Sequence, residues 1–320
     1  MASRSTRQDV ARAAGVSGAT VSRVYNHPAL VDAATRERVR TAAEALGFVP
    51  DRHAAALRRG SSATILFVEI EDDAAYRWPG EKAYSSLYGA IIRAVLHAAQ
   101  STPFQLQLVT LAPDQLPSLE RYDFAGILGF DVTEQRWADV LAGFGRPVVC
   151  CHHGDHLTGV STVTTDNRRG GILQAEYLRG APTAYVTGLR EEVRSHRLRW
   201  EGFASLLEPR HVLDGAVGYA AGKQAAAQLE PLIRSGEIRA AACVNDLTAL
   251  GVIDGLASFG IAPTDVVVVG YDNLFAAGLL GHSVPTVDAR LPEVYAQALR
   301  LFPVLSAETH EQVEPVLVSP

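Results

Sequence analysis

Apolar positions in the first fifty residues recur at helical spacing. In QDVARAA, Val10, Ala11 and Ala14 fall on one face of a short helix. Gly15 should end it, because glycine enters the left-handed C′ conformation at little cost. Ser17 stands where an N-cap belongs, ahead of GATVSRVYN, whose Val21 and Val24 share a face. Asp32 has the same place before AATRERVRTAAEALG, with Val39, Ala42, Ala43 and Leu46 inward and Arg36, Arg38 and Arg40 outward. Two short helices joined by a glycine-containing turn predict a helix-turn-helix, and the third helix closes a small core. Ser17, Thr20, Ser22 and Arg23 lie on or beside the outward face of the second helix, where such a motif touches phosphates and bases.

From Ala63 the pattern changes. ATILFVEI, FQLQLVTL, FAGILGF, PVVCCH, TAYVT, AAACV and DVVVVGY are near-continuously apolar and β-rich, as buried parallel strands are. Between them lie amphipathic helical stretches such as KAYSSLYGAIIRAVLHAAQ and RRGGILQAEYLR. This alternation predicts doubly wound parallel sheets with right-handed crossovers. About eleven such units exceed one sheet, so two α/β lobes with a cleft between them are expected. Ligands of such sheets bind beyond the carboxyl ends of the strands, which draws attention to Asn245-Asp246, Asp272-Asn273 and the loop leading to Arg197. Carboxylates and an arginine converging there suit a polyol, since each binds adjacent hydroxyls at two points. Asp246 and Asp272 also precede helical stretches and fit the role of N-caps, and both roles are compatible.

Charge sharpens the division. The 320-residue chain has a formal net charge of −6. Residues 1–60 hold ten Arg against five acidic residues, giving 10 − 5 = +5, so the remaining 260 carry 19 − 30 = −11. A basic head on an acidic body suits a polyanion-binding module fused to something else. The polar start MASRSTRQDV lacks a signal-peptide core, and no window is long and apolar enough to span a bilayer, so no membrane partner is expected. Three cysteines, two of them adjacent, form no disulfide framework and fit a reducing compartment, the cytoplasm.

The run DVARAAGVSGATVSRVYNHPALVDAATRERVRTAAEALGFVPDRHAAALRRG resembles the head and hinge of the LacI/GalR family of transcription regulators, over about residues 6 to 60. TTDNRRGG, HRLRWEGF, VNDLTALG and VVVVGYDN continue the likeness through the body in the family's order. The resemblance implies a helix-turn-helix head over 1–49, a hinge helix or linker over 50–62, and a two-lobed, periplasmic-binding-protein-like sensor and dimerisation domain over 63–320. By that match Thr6, Ser17, Thr20 and Asn26 grip phosphates, and Gly18, Ala19 and Arg23 occupy specificity positions. Arg52, in the hinge segment, is expected among the DNA-binding residues, and Leu57 is the residue that wedges into the minor groove. Gly18 and Ala19 have no hydrogen-bonding side chain, so direct readout leans on Arg23. Asp246, Asp272 and Arg197 match effector-contacting positions, with His152 at the end of another strand. Asp166 and Asn167 fall near the lobe crossover, in a helix-capping role.

Residues 71–84 replace the family's short loop, and Tyr76, Trp78 and Tyr84 there either stack on a ligand or close the loop over the lobe. The implied function is a cytoplasmic, nucleoid-associated, effector-controlled repressor, a homodimer on palindromic operator DNA with a sugar-like effector and no cofactor. A nucleobase effector is the alternative. A sugar enzyme with an accessory head is the rival from another class, but no catalytic constellation stands out. CCHHGDH offers zinc-ligand types at the wrong spacing, because adjacent residues on a strand face opposite ways. GYAAGKQ is one residue short of a phosphate loop and ends in Gln rather than Ser or Thr.

Overall fold

The computed structural model describes residues 5–26, 30–48, 63–71, 81–152, 156–215, 217–274, 284–303 and 307–319, with the side chains of 26 and 81–86 outside that description. The chain divides into two compact units, Met1–Ala63 and Thr64–Pro320.

The described residues of the first unit form three helices, α1 (Arg7–Ala14), α2 (Gly18–Asn26) and α3 (Ala33–Ala45). Each end is set by the chemistry of its cap. Gly15 takes φ 65°, ψ 38° and closes α1, and the Ser17 hydroxyl accepts from Thr20 N at 3.0 Å to open α2. The Asp32 carboxylate accepts from Thr35 N at 2.8 Å to open α3. Val10, Val21, Val24 and Val39 fill the core. Leu46 departs from its expected inward place. It is the C-cap residue of α3 and 37% exposed, and Phe48 packs on the core instead, with its ring 6.4 Å from Tyr25.

The second unit holds two six-stranded sheets. The amino-terminal lobe is built on β1 (Thr64–Ile70), β2 (Gln105–Leu111), β3 (Gly126–Phe130), β4 (Val148–Cys151) and β5 (Ser161–Thr165). A late strand, β11 (His310–Val313), completes the order β11-β5-β4-β3-β1-β2, parallel throughout. The other lobe is built on β6 (Thr183–Gly188), β7 (His211–Asp214), β8 (Ala240–Cys243), β9 (Val267–Tyr271), β10 (Thr286–Asp288) and β12 (Val316–Val318). Its order is β12-β10-β9-β8-β6-β7, and only the β10–β12 pair is antiparallel. The expected two-lobed α/β architecture is what the chain adopts. β2 departs furthest from the expectation of fully buried strands: it is an edge strand with Leu108 43% exposed, and in β9 the first residue, Val267, is exposed as well.

Helices α4 (Glu81–Gln100) and α10 (Leu291–Leu301) cover one face of the first sheet, and α5 (Gln135–Ala142) the other. On the second sheet α6 (Asn167–Tyr177) and α7 (Arg194–Ala204) oppose α8 (Tyr219–Arg234) and α9 (Asp246–Ser258). Cys150 and Cys151 point into the two different cores of the first lobe, as adjacent strand residues must.

The chain passes between lobes three times, at Thr165–Asn167, Asp288–Leu291 and Val313–Val316. Two hydrogen bonds bind these crossings together. The Thr165 hydroxyl donates to Ala289 O at 2.6 Å, and Asp166 N donates to Val313 O at 2.9 Å. Asp166 also caps α6, accepting from Arg169 N at 2.9 Å.

Candidate DNA-binding face and effector site

On the head, Thr6 is more than an exposed hydroxyl. It is the N-cap of α1 in a reciprocal box: its Oγ1 accepts from Asp9 N at 3.3 Å while Asp9 Oδ2 accepts from Thr6 N at 2.8 Å. Bonds from Thr6 hold the Asp9 carboxyl below its ordinary value, with Arg12 adding to the effect. Ser17 and Thr20 are similarly engaged, their hydroxyl oxygens 2.9 Å apart. The Thr6 hydroxyl gives its proton to Asp9 Oδ2 at 2.6 Å, and one of the Ser17 and Thr20 hydroxyls gives its proton to the other. Of these three hydroxyls, only the remaining proton of the Ser17–Thr20 pair is therefore left for a phosphate. Ala19 and Arg23 are exposed on α2, and Gly18 and Ser22 are half-buried. Asn26 ends α2 with its side chain outside the described residues, where Arg52, Leu57, Tyr76 and Trp78 also lie.

On the body, the carboxyl edge of the second sheet gathers around one guanidinium, that of Arg199. Its Nε donates to Asn167 Oδ1 at 2.8 Å, its Nη1 to Val244 O at 2.7 Å and its Nη2 to Asp272 Oδ1 at 3.2 Å. The guanidinium carbon lies 3.6 Å from the Tyr271 ring centroid. One side chain thus joins α6, α7 and the ends of β8 and β9. Asp272 sits at φ 102°, a left-handed backbone that a β-carbon disfavours, so the surrounding bonds hold it there. Burial pushes its carboxyl up to about 6, with Arg199 pulling against burial.

The arginine of this site is Arg199, not Arg197. Two residues along a helix turn a side chain by about 200°, and Arg197 is half-buried and meets neither Asp246 nor Asp272. The signal was present in the sequence. Ser195, Arg199, Gly202 and Phe203 stand at i, i+4, i+7 and i+8, and they form the buried face of α7. Ser195 Oγ, on that face, is buried with no hydrogen-bond partner among the described residues.

Asp246 also departs from expectation. Asn245 caps α9, accepting from Thr248 N at 2.9 Å. Asp246 is 1% exposed, and both its oxygens are used, by Leu274 N and by the Thr286 hydroxyl, each at 2.6 Å. It reaches them because Gly270 has no side chain; a methyl there would lie 2.2 Å from Asp246 Oδ1. Asp246 therefore fixes the Asp272 turn from below rather than facing a ligand. Burial, then the Asp272 charge, pushes its carboxyl up to about 7, against the bonds from Thr286, Leu274 and Tyr271.

At the carboxyl edge of the first sheet, His152 follows β4 at φ 77°, half-buried, with its ring 6.0 Å from Phe130. Phe130 lies 5.8 Å from the half-buried Tyr88 of α4, so three rings form a row. Beside it Glu69 accepts from the Thr110 hydroxyl at 3.2 Å. Glu69 and Tyr88 escaped the sequence reading, the first because it is a lone acid inside an apolar strand. No cluster of His, Cys, Asp and Glu fit to hold a metal occurs among the described residues.

A helix-turn-helix head joined to a two-lobed α/β body is the architecture of an effector-controlled transcription regulator. The model of the bacterial regulatory proteins of the lacI family matches residues 6–51. The maltose regulon regulatory protein MalI of Escherichia coli is 31% identical over 278 residues, covering 81% of this chain and 77% of that protein. The chain belongs to the LacI family of bacterial transcription regulators. Among solved structures, the transcriptional regulator CelR in complex with cellobiose is 26% identical, with a TM-score of 0.65 over 98% of each chain. The lac repressor dimer bound to operator and the anti-inducer ONPF shares the fold at a TM-score of 0.66, with 22% identity over 99% of this chain and 98% of that one.

Proposed function

We propose that this regulator is a repressor that binds a palindromic operator as a homodimer and is switched by a sugar-like effector held between the two lobes. The observation that carries the effector reading is the buried Arg199–Asp272 pair on the carboxyl edge of the second sheet, 5% and 4% exposed. Two-point donors and acceptors of this kind match adjacent hydroxyls. Ser195 Oγ adds a buried hydroxyl with bonding capacity to spare, and the half-buried rings of Tyr88 and His152, packed on either side of the buried Phe130, offer apolar surface for a sugar ring. The complex of the relative CelR with cellobiose supports the same class.

Thermal unfolding of the purified protein against sugars, sugar phosphates, polyols and nucleobases tests this reading. A ligand at about 100 times its Kd adds about 2.7 kcal/mol, a rise of several degrees in Tm. The expected hit is a sugar, and its shift should vanish in Arg199→Lys, which keeps the charge but loses the planar fork. A hit confined to nucleobases, or a sugar shift unchanged in Arg199→Lys, contradicts the proposal.

A further inference from the structure

The first two positions of the recognition helix, Gly18 and Ala19, have no group that can hydrogen-bond a base, yet the helix start is where such a motif meets base edges. The surface there is not left without a donor. A methyl group placed on Gly18 would lie 3.6 Å from Arg7 Nε, so the guanidinium stem of Arg7, from the first turn of α1, lies over the glycine. Arg7 is exposed and makes no side-chain hydrogen bond or ion pair among the described residues. The nearest acid along its helix, Asp9, is already taken by Thr6 N, the Thr6 hydroxyl and Arg12. A charged fork with its donors unspent therefore stands beside the one position of α2 that has no side chain.

We propose that Arg7 supplies the base contact that Gly18 cannot make, reading a guanine in each half-site through its O6 and N7 acceptors. The inference rests on the DNA-binding reading of the head. Glycine at 18 is then part of the device: a longer side chain there would occupy the space that Arg7 crosses and compete for the same base pair. Arg23, a turn further along α2, reads a different base pair. Specificity would come from two arginines on two helices rather than from consecutive residues of one.

The test uses the full-length protein and a library of palindromic DNA duplexes with randomised half-sites, comparing wild type, Arg7→Ala, Arg7→Gln, Arg23→Ala and Thr20→Ala. Circular dichroism checks that each variant keeps its helices. Arg7→Ala should lose a guanine preference at one half-site position by about tenfold, in the range a single bidentate base contact provides, and leave the Arg23-dependent position intact. Gly18→Gln should blur the same position while the head stays folded. A uniform loss of affinity across sequences in Arg7→Ala, as a phosphate contact would give, overturns the proposal, as does an unchanged preference in both Arg7 variants. Failure of the wild-type protein to select any sequence would instead overturn the DNA-binding reading itself.

Discussion

Asp246 shows how much of the proposed effector site is held by residues no ligand needs to touch. Its carboxyl is raised from the ordinary 3.8 to about 7, first by burial and then by the Asp272 charge. The folded chain therefore holds this proton more tightly than the unfolded chain. Stability contributed by the neutral form is present below about pH 4 and falls as pH rises towards 7, at up to about 1.4 kcal/mol per pH unit. Asn has nearly the same shape and can accept from Leu274 N while donating to the Thr286 oxygen. Asp246→Asn is expected to flatten the loss of stability between pH 5 and pH 7, read by urea unfolding at several pH values. An unchanged slope would assign that pH dependence to other groups.

Residue type located this neighbourhood, and helix geometry was needed to choose within it. HRLRWEGF holds two arginines, and the buried spacing Ser195, Arg199, Gly202 singles out the second. That Asp246 turns into the fold was not legible, because the space it enters is made by Gly270, some two dozen residues away in sequence.

At the scale of elements, capping chemistry was the most readable feature. Gly15, Ser17 and Asp32 end or begin helices where their backbone preferences and short polar side chains place them. The apolar pattern passes over β5, STVTT, because four of its five buried positions are threonine or serine rather than aliphatic, although β-branched threonine fits a strand well. β2 was read as buried because an edge strand near a lobe surface can still be largely apolar.

Close helix contact left a different trace. A methyl on Gly171 of α6 would lie 1.9 Å from Arg199 O, and one on Gly202 of α7 would lie 2.0 Å from Arg168 O, so the two helices touch backbone to backbone. Because α7 holds Arg199, this contact sets where the guanidinium stands. Gly202→Ala is expected to push α7 away at a cost of about 3 kcal/mol, which lowers Tm by roughly 5–10 °C. Gly89→Ala, on α4 with open space around its α-carbon, is the control and should be neutral or mildly stabilising. Equal effects from the two substitutions would refute the contact.

The whole molecule divides its labour by charge: a head region of +5 over residues 1–60 and a body of −11. That asymmetry and the helix-turn-helix spacing were visible from sequence alone, as was the two-sheet body. The interleaving of the lobes was less so. β11 and β12 follow one another in the chain yet complete different sheets, and the three crossings meet through Thr165–Ala289 and Asp166–Val313. In the proposed function, these shared crossings are the joint about which an effector bound between the lobes would bias a hinge rotation.

Regulation then amounts to a coupling free energy between operator and effector, and it must be reciprocal. The most direct measurement is operator affinity by fluorescence anisotropy, with and without a saturating concentration of the sugar found by thermal shift, together with the sugar's affinity for free and operator-bound protein. The proposed mechanism predicts that the sugar changes operator affinity by about 5- to 150-fold and that operator changes sugar affinity by the same factor. Operator affinity unmoved by a saturating, tightly bound sugar would contradict it.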